Sequence, residues 1–116
     1  MDQEAIIKQI YDAFNRRDID AVLKHFHPAV TWPNGWEGGY VHGHREVRDY
    51  WTKQWKELNP VVTPAKLAII DESTIEVGVH QLVKNLNGDV VADEMVKHTY
   101  SFGNGLIKKM EIVGLA

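Results

Sequence analysis

Hydrophobic and polar positions alternate most regularly between Thr74 and Gly114, where TIEVGVHQLVKNL, DVVADEMVKHTYSF and LIKKMEIVG form three strand-like runs. They are joined at Asn87-Gly88 and at Gly103-Asn104-Gly105. Asn-Gly between such runs predicts a two-residue type I′ hairpin turn, because both central residues need positive φ. With Leu86 facing Asp89, the register pairs Val83 with Ala92, Gln81 with Glu94, Val79 with Val96, Val77 with His98 and Ile75 with Tyr100. Side chains alternate with period two, so all ten share one face. That face is apolar apart from Gln81, Glu94, His98 and Tyr100, whereas the other carries Glu76, Lys84, Asp93, Lys97 and Ser101. An apolar face with a few polar groups has the composition of a ligand pocket. A three-residue connection at Gly103-Asn104-Gly105 sets Phe102 opposite Leu106, Val96 opposite Ile112 and His98 opposite Met110. His98 then lies between Val77 and Met110. Apolar surroundings disfavour a charged imidazole and leave it neutral, free to serve as acceptor or base. An inward histidine that only fills the core fits the same pattern.

Upstream the period changes to that of helices. Asp2 caps a helix whose apolar positions Ile6, Ile7, Ile10, Ala13 and Phe14 recur at three- and four-residue steps, ending near Arg17. Tyr11 sits at the edge of that stripe, where the ring packs and the hydroxyl can reach a cavity. Asp18 caps a second helix, Ile19 to Phe26, stopped before Pro28. Ala29 to Trp32 reads as a short strand leading through Pro33-Asn34-Gly35 into a glycine-rich loop that carries Trp36, Tyr40 and His42. Such aromatics either wall a pocket or cover the end of the core. A third helix, His44 to Leu58, has the stripe Val47, Tyr50, Trp51, Trp55 and Leu58, with Gln54 in its midst. Trp51 and Trp55, one turn apart, form a continuous wall or core packing against the sheet. Val61 to Asp71 completes the strands, with Pro64 near the beginning. The predicted order is helix, helix, short strand, helix and four antiparallel strands, an α+β domain.

Composition narrows the function classes. The 116 residues fit a single domain over positions 1–116. A net charge of −3 with dispersed basic residues argues against a nucleic-acid partner. The absence of cysteine excludes disulfides and thiolate chemistry. The opening MDQEAIIKQI carries acids where a secretory signal needs positive charge, and no run is apolar enough for a bilayer, so a cytoplasmic protein without membrane contact is expected. His42 and His44 lie near Glu37 and Glu46, but this pair lacks a third ligand at defined spacing. Gly43-His44 reads as the entry to the third helix, and neither metal nor cofactor is expected.

The segments YDAFNRRDIDAVLKHFHPAVTW, VHGHREVRDYW and VKHTYSFGNGLIKKMEI resemble the SnoaL-like and ketosteroid-isomerase-like branch of the NTF2-like superfamily over almost the full length. The resemblance implies a cystatin-like cone, three N-terminal helices packed on a strongly curved antiparallel sheet that wraps a pocket. In that family an inward acid near the last hairpin helps form an oxyanion hole, and His98 looks like its counterpart, counted back from Phe102. Met110 matches an inward methionine. The isomerases' general-base aspartate falls at Pro33 or Asn34, neither of which accepts a proton at neutral pH, so standard steroid isomerisation is not expected. The helix-one tyrosine aligns nearer Ile10, one residue from Tyr11. SnoaL-type cyclases use a pocket histidine and aspartate, parts open here only to His98 and Glu94. Four residues apart on one strand, those two are about 13 Å apart and form no direct hydrogen bond.

The resulting expectation is a small-molecule-binding domain for an apolar ligand, acting as an acid/base isomerase, cyclase, dehydratase or hydrolase. His98 serves as acid or base, Glu94 as second polar contact and Tyr11 as hydrogen-bond donor. Trp32, Trp36, Trp51, Trp55, Val79, Gln81, Tyr100 and Met110 line the pocket. The alternative is a noncatalytic ligand-binding or dimerisation module, which the missing aspartate favours. Homodimerisation is expected through the outer sheet face, where His80, Leu82, Met95 and Thr99 form a weakly charged patch.

Overall fold

The computed structural model describes residues 2–114. Helix α1 spans Gln3–Asn15, and the Asp2 side chain caps it by accepting from the Ala5 amide at 2.8 Å. Its buried stripe is Ile6, Ile7, Ile10, Tyr11 and Ala13. Helix α2, Ile19–Leu23, is capped by Asp18 but stops short of the expected end. Strand β1, Phe26–Pro33, already begins there, because the carbonyl of His25 accepts from Ile107 and Phe26 pairs with that residue. Pro28 is tolerated because the β1 register breaks between Phe26 and Thr31. The glycine-rich loop contains a short strand not anticipated from sequence, β2, Tyr40–His42, antiparallel to β1.

Helix α3, Gly43–Gln54, ends before the predicted Leu58, since Leu58 already pairs with Asn85 at the start of β3, Leu58–Asp71. Strands β4 (Thr74–Asn85), β5 (Val90–Gly103) and β6 (Leu106–Gly114) follow. The sheet has six strands in the order β2-β1-β6-β5-β4-β3. Two corrections follow. The β1–β6 pair is parallel, so the curved sheet is mixed rather than wholly antiparallel. Two strands, β1 and β2, rather than the single short strand expected, separate α2 from α3.

The hairpin turns also differ from expectation. At the first, only Gly88 has positive φ, and Asn85 organises a wider loop: its carbonyl accepts from Gly88, and its side-chain oxygen accepts from Asn87 and Asp89. A register shift between Val83 and Lys84 offsets the extra loop residue, so Val83–Ala92, Gln81–Glu94, Val79–Val96, Val77–His98 and Ile75–Tyr100 all pair. The second turn is the tight one. Asn104 and Gly105 have φ of 55° and 78°, and Gly103 faces Leu106. A shift between Ser101 and Phe102 then places Tyr100 opposite Met110 and His98 opposite Ile112, not Met110. The displacement is two residues, which preserves the face. Met110 is accordingly buried on the same side as His98.

Helix α1 is fastened to the sheet at its C-terminal end. The Asn15 amide group donates to the Val62 carbonyl at 2.7 Å and accepts from the Val62 N–H at 3.0 Å. Arg17, at φ 64°, donates to the carbonyls of Phe14 and Pro60 and lies over the Trp55 ring at 5.0 Å. These contacts hold the helices over the concave face and leave a cavity between them.

Candidate functional site

The cavity has a volume of about 90 Å³ and is bounded by α1, α3, the end of β1 and the inner face of β3 to β6. Its floor is His98, Tyr100 and Met110, and its walls include Tyr11, Trp32 and Trp51. Trp32 and Trp51 meet edge to face, with centroids 5.7 Å apart. Tyr50, Gln54 and Gln81 are half-buried, and Gly35 and Ile112 are exposed; together they mark the open side. A Cβ added at Gly35 would lie 3.4 Å from Ile112 Cδ1, so these two residues face one another there.

The polar groups inside form one chain. Tyr100 Oη donates to Tyr11 Oη at 2.9 Å, and Tyr11 Oη lies 2.7 Å from His98 Nδ1. The Tyr11 and His98 rings stack at an interplanar angle of 15°. Side-chain periodicity explains the assembly. His98 and Tyr100 are two apart on β5 and point the same way, and Tyr11 is presented by the buried stripe of α1. His98 is only 5% exposed, and its Nε2 is buried without a hydrogen-bond partner among the described residues.

Burial sets the charge state of each group. Desolvation pushes the His98 imidazole down to about 4, so it is neutral at pH 7. Burial pushes the Tyr100 hydroxyl well above its ordinary 10, partly offset by the Tyr11 hydrogen bond. Tyr11 rises as well, first by burial and then by the neighbouring Tyr100. Burial also raises Tyr50. Among the described residues no aspartate, glutamate, lysine or arginine lines the cavity. An uncharged hydrogen-bonding chain in an aromatic cavity offers a partner to a polar atom without ionising itself, the role a neutral imidazole has in some isomerases.

Of the residues singled out from sequence, His98, Tyr11, Trp32, Trp51, Gln81, Tyr100 and Met110 are brought together around this cavity. Glu94 is not. It pairs with Gln81 as expected but is exposed, because that end of the hairpin projects from the core, as the exposed Leu86, Val90 and Val91 show. Val79 is fully buried in the core without lining the cavity. Trp55 stacks behind Trp51 and beneath Arg17, and Trp36 lies on the surface loop with Lys53 over its ring. Sequence reasoning missed Ile10 and Phe14, assigned to the core stripe, and Pro33 and Gly35, assigned to a turn. It also missed Pro60 and Val62, whose inward direction depends on the β3 register. Gln54 and Tyr50, four apart on α3, were legible as a polar break in an aromatic stripe.

The histidines of the glycine loop act locally. His44 Nε2 donates to the Phe26 carbonyl at 2.9 Å, and His42 lies 3.4 Å from Thr31 Oγ1. Among the described residues no group of three histidine, aspartate or glutamate side chains is placed to hold a metal ion, and no helix is long and apolar enough to cross a membrane.

Comparison with known proteins places this geometry. The family model described as a SnoaL-like domain matches residues 7–109. No curated protein matches the chain. Among solved structures, an NTF2-like protein of unknown function from Burkholderia pseudomallei is 26% identical, with a TM-score of 0.84 over 97% of this chain and 89% of that one. TerC, co-crystallised with polyporic acid, is 24% identical, with a TM-score of 0.82 over 96% and 89% of the two chains. A Mycobacterium tuberculosis protein in complex with estradiol-17beta-hemisuccinate is 14% identical, with a TM-score of 0.81 over 93% and 89%. The last two likenesses speak to the fold.

Proposed function

The chain belongs to the SnoaL-like domain family, and from that premise we propose that it binds a small apolar molecule in the cavity, with one polar atom of the ligand on His98 Nε2. The carrying observation is the buried, unpartnered nitrogen of His98, a residue whose side chain lines the cavity. A buried polar atom without a partner is costly, so a ligand that partners it gains affinity there while its apolar body fills the aromatic walls. Charged ligands are disfavoured, because no lining side chain neutralises them. The enclosed 90 Å³ is smaller than the ~150 Å³ that admits benzene, so a larger molecule seats one end inside and extends out on the open side beside Tyr50, Gln54 and Gln81. The neighbours solved with polyporic acid and with estradiol-17beta-hemisuccinate are consistent with ring compounds as the ligand class.

Acid/base catalysis, as an isomerase, cyclase, dehydratase or hydrolase, is supported by His98 and its tyrosine chain, with the neutral His98 polarising a ligand oxygen by a hydrogen bond. The noncatalytic reading is supported by a different observation: among the described residues no carboxylate side chain lines the cavity to take a proton. Native mass spectrometry of the purified protein tests binding: a retained small molecule is expected, lost from His98→Ala. Failure of every ring-sized neutral compound to perturb the cavity residues by NMR would remove the proposal.

We also propose that the outer face of β4 and β5 mediates a homodimer in the cytoplasm. Exposed Met95 and half-buried Leu82 lie there, with exposed Val61 beside Leu82 on β3. Sedimentation at micromolar concentration should give a dimer and Met95→Lys a monomer; a monomeric parent removes this part.

A further inference from the structure

Resting on the binding reading above, we infer that Tyr100, acting through Tyr11, fixes His98 in the tautomer with its proton on Nε2, so that the cavity selects a ligand atom that accepts a hydrogen bond over one that donates. Each hydroxyl owns a single hydrogen. Tyr100 Oη is buried and has Tyr11 Oη, at 2.9 Å, as its one side-chain partner among the described residues, which assigns its hydrogen to Tyr11 and that of Tyr11 to the remaining neighbour, His98 Nδ1, at 2.7 Å. An accepting Nδ1 carries no hydrogen, and a neutral imidazole carries one, which therefore sits on Nε2.

The opposite arrangement wastes a donor. Were Nδ1–H to donate to Tyr11, either Tyr11 would accept twice and its own hydrogen would have no acceptor, or Tyr11 would donate to Tyr100 and the hydrogen of that buried hydroxyl would have none. Tyr11 and Tyr100 are 3% and 1% exposed, so neither hydroxyl has ready access to solvent. Nε2 is the free end of the chain and the cavity is where it can find a partner. A carbonyl or ether oxygen satisfies Nε2–H, whereas an N–H donor opposes it. Tyr100 is thus a positioning residue: its hydroxyl is spent on Tyr11, and its effect on ligand choice passes through two side chains.

The test is nitrogen-15 NMR of histidine-labelled full-length protein at pH 7, first without ligand. The expected His98 pattern is a protonated Nε2 and an unprotonated Nδ1. In Tyr100→Phe the Tyr11 hydroxyl no longer receives a hydrogen, both directions become open, and the two nitrogen shifts should converge or split into two species. Cyclopentanone, which only accepts, and pyrrole, which only donates, then serve as ring-sized probes. Cyclopentanone should perturb Nε2 at concentrations at least tenfold lower than pyrrole, and Tyr100→Phe should narrow that preference. A protonated Nδ1 in the parent protein overturns the inference whatever binds, and this readout stands even if the variant fails to fold. Equal response to both probes overturns the selectivity. A protonated Nε2 with no response to either probe instead overturns the binding reading, and the selectivity falls with it while the tautomer assignment is supported.

Discussion

Acidification should destabilise this protein through His98 in a way that one substitution removes. Burial pushes its imidazole from the ordinary 6.5 down to about 4. Between those values the unfolded chain binds a proton that the folded protein refuses, so stability falls as pH drops from 6.5 through 4, and above 6.5 the contribution vanishes. Each pH unit is worth at most about 1.4 kcal/mol, which gives a loss of about 2.5 kcal/mol by pH 4.5 and about 3 kcal/mol once the folded-state value is passed. The groups facing His98 do not alter the sign, because burial keeps both Tyr11 and Tyr100 uncharged throughout this range. His98→Gln replaces the imidazole with a group that does not titrate. Urea unfolding followed by tryptophan fluorescence at pH 7.0, 6.0, 5.0 and 4.5 reads the stability of both proteins. His25, whose value burial also lowers, is present in both and cancels. The parent should lose about 2.5 kcal/mol more than the variant between pH 7.0 and 4.5. Curves that stay parallel within about 0.5 kcal/mol, the size of an ordinary surface effect, would show that His98 charges freely and is not buried as described.

Tyr11→Phe should cost roughly 1–3 kcal/mol, since it leaves His98 Nδ1 and the Tyr100 hydroxyl buried without partners, whereas Tyr100→Phe should cost less because Tyr11 still reaches His98. Equal losses in urea unfolding would contradict the chain. Asn15→Ala removes both hydrogen bonds to Val62 and should cost about 1–2 kcal/mol, accompanied by faster hydrogen exchange in β3 around that residue. Gly35→Leu should displace Ile112, because a Cβ there already lies 3.4 Å from its Cδ1, at a cost of about 1 kcal/mol, and should reduce occupancy by ring-sized probes at the open side. Unchanged binding would place the entrance elsewhere.

Parity along the strands was legible from the sequence, and parity alone decides which residues face inward. His98, Tyr100 and Met110 were therefore assigned to the correct face although both turns were read wrongly: the first turn's extra residue is absorbed by a bulge, and the second register moves by two residues. Caps and stripes likewise fixed α1 and the start of α2, because Asp2, Asp18 and the isoleucines act within a few residues of themselves. What only the tertiary structure decided depends on partners far away in the chain. The parallel β1–β6 pairing, which pulls Phe26 out of the second helix, is a long-range contact that no local pattern encodes. The exclusion of Glu94 follows from how far the helices extend over the sheet, not from the face it occupies. The link from Tyr11 to His98 spans 87 positions. Their meeting depends on how α1 lies across the concave face, so alternation could name the histidine but could not name its partner.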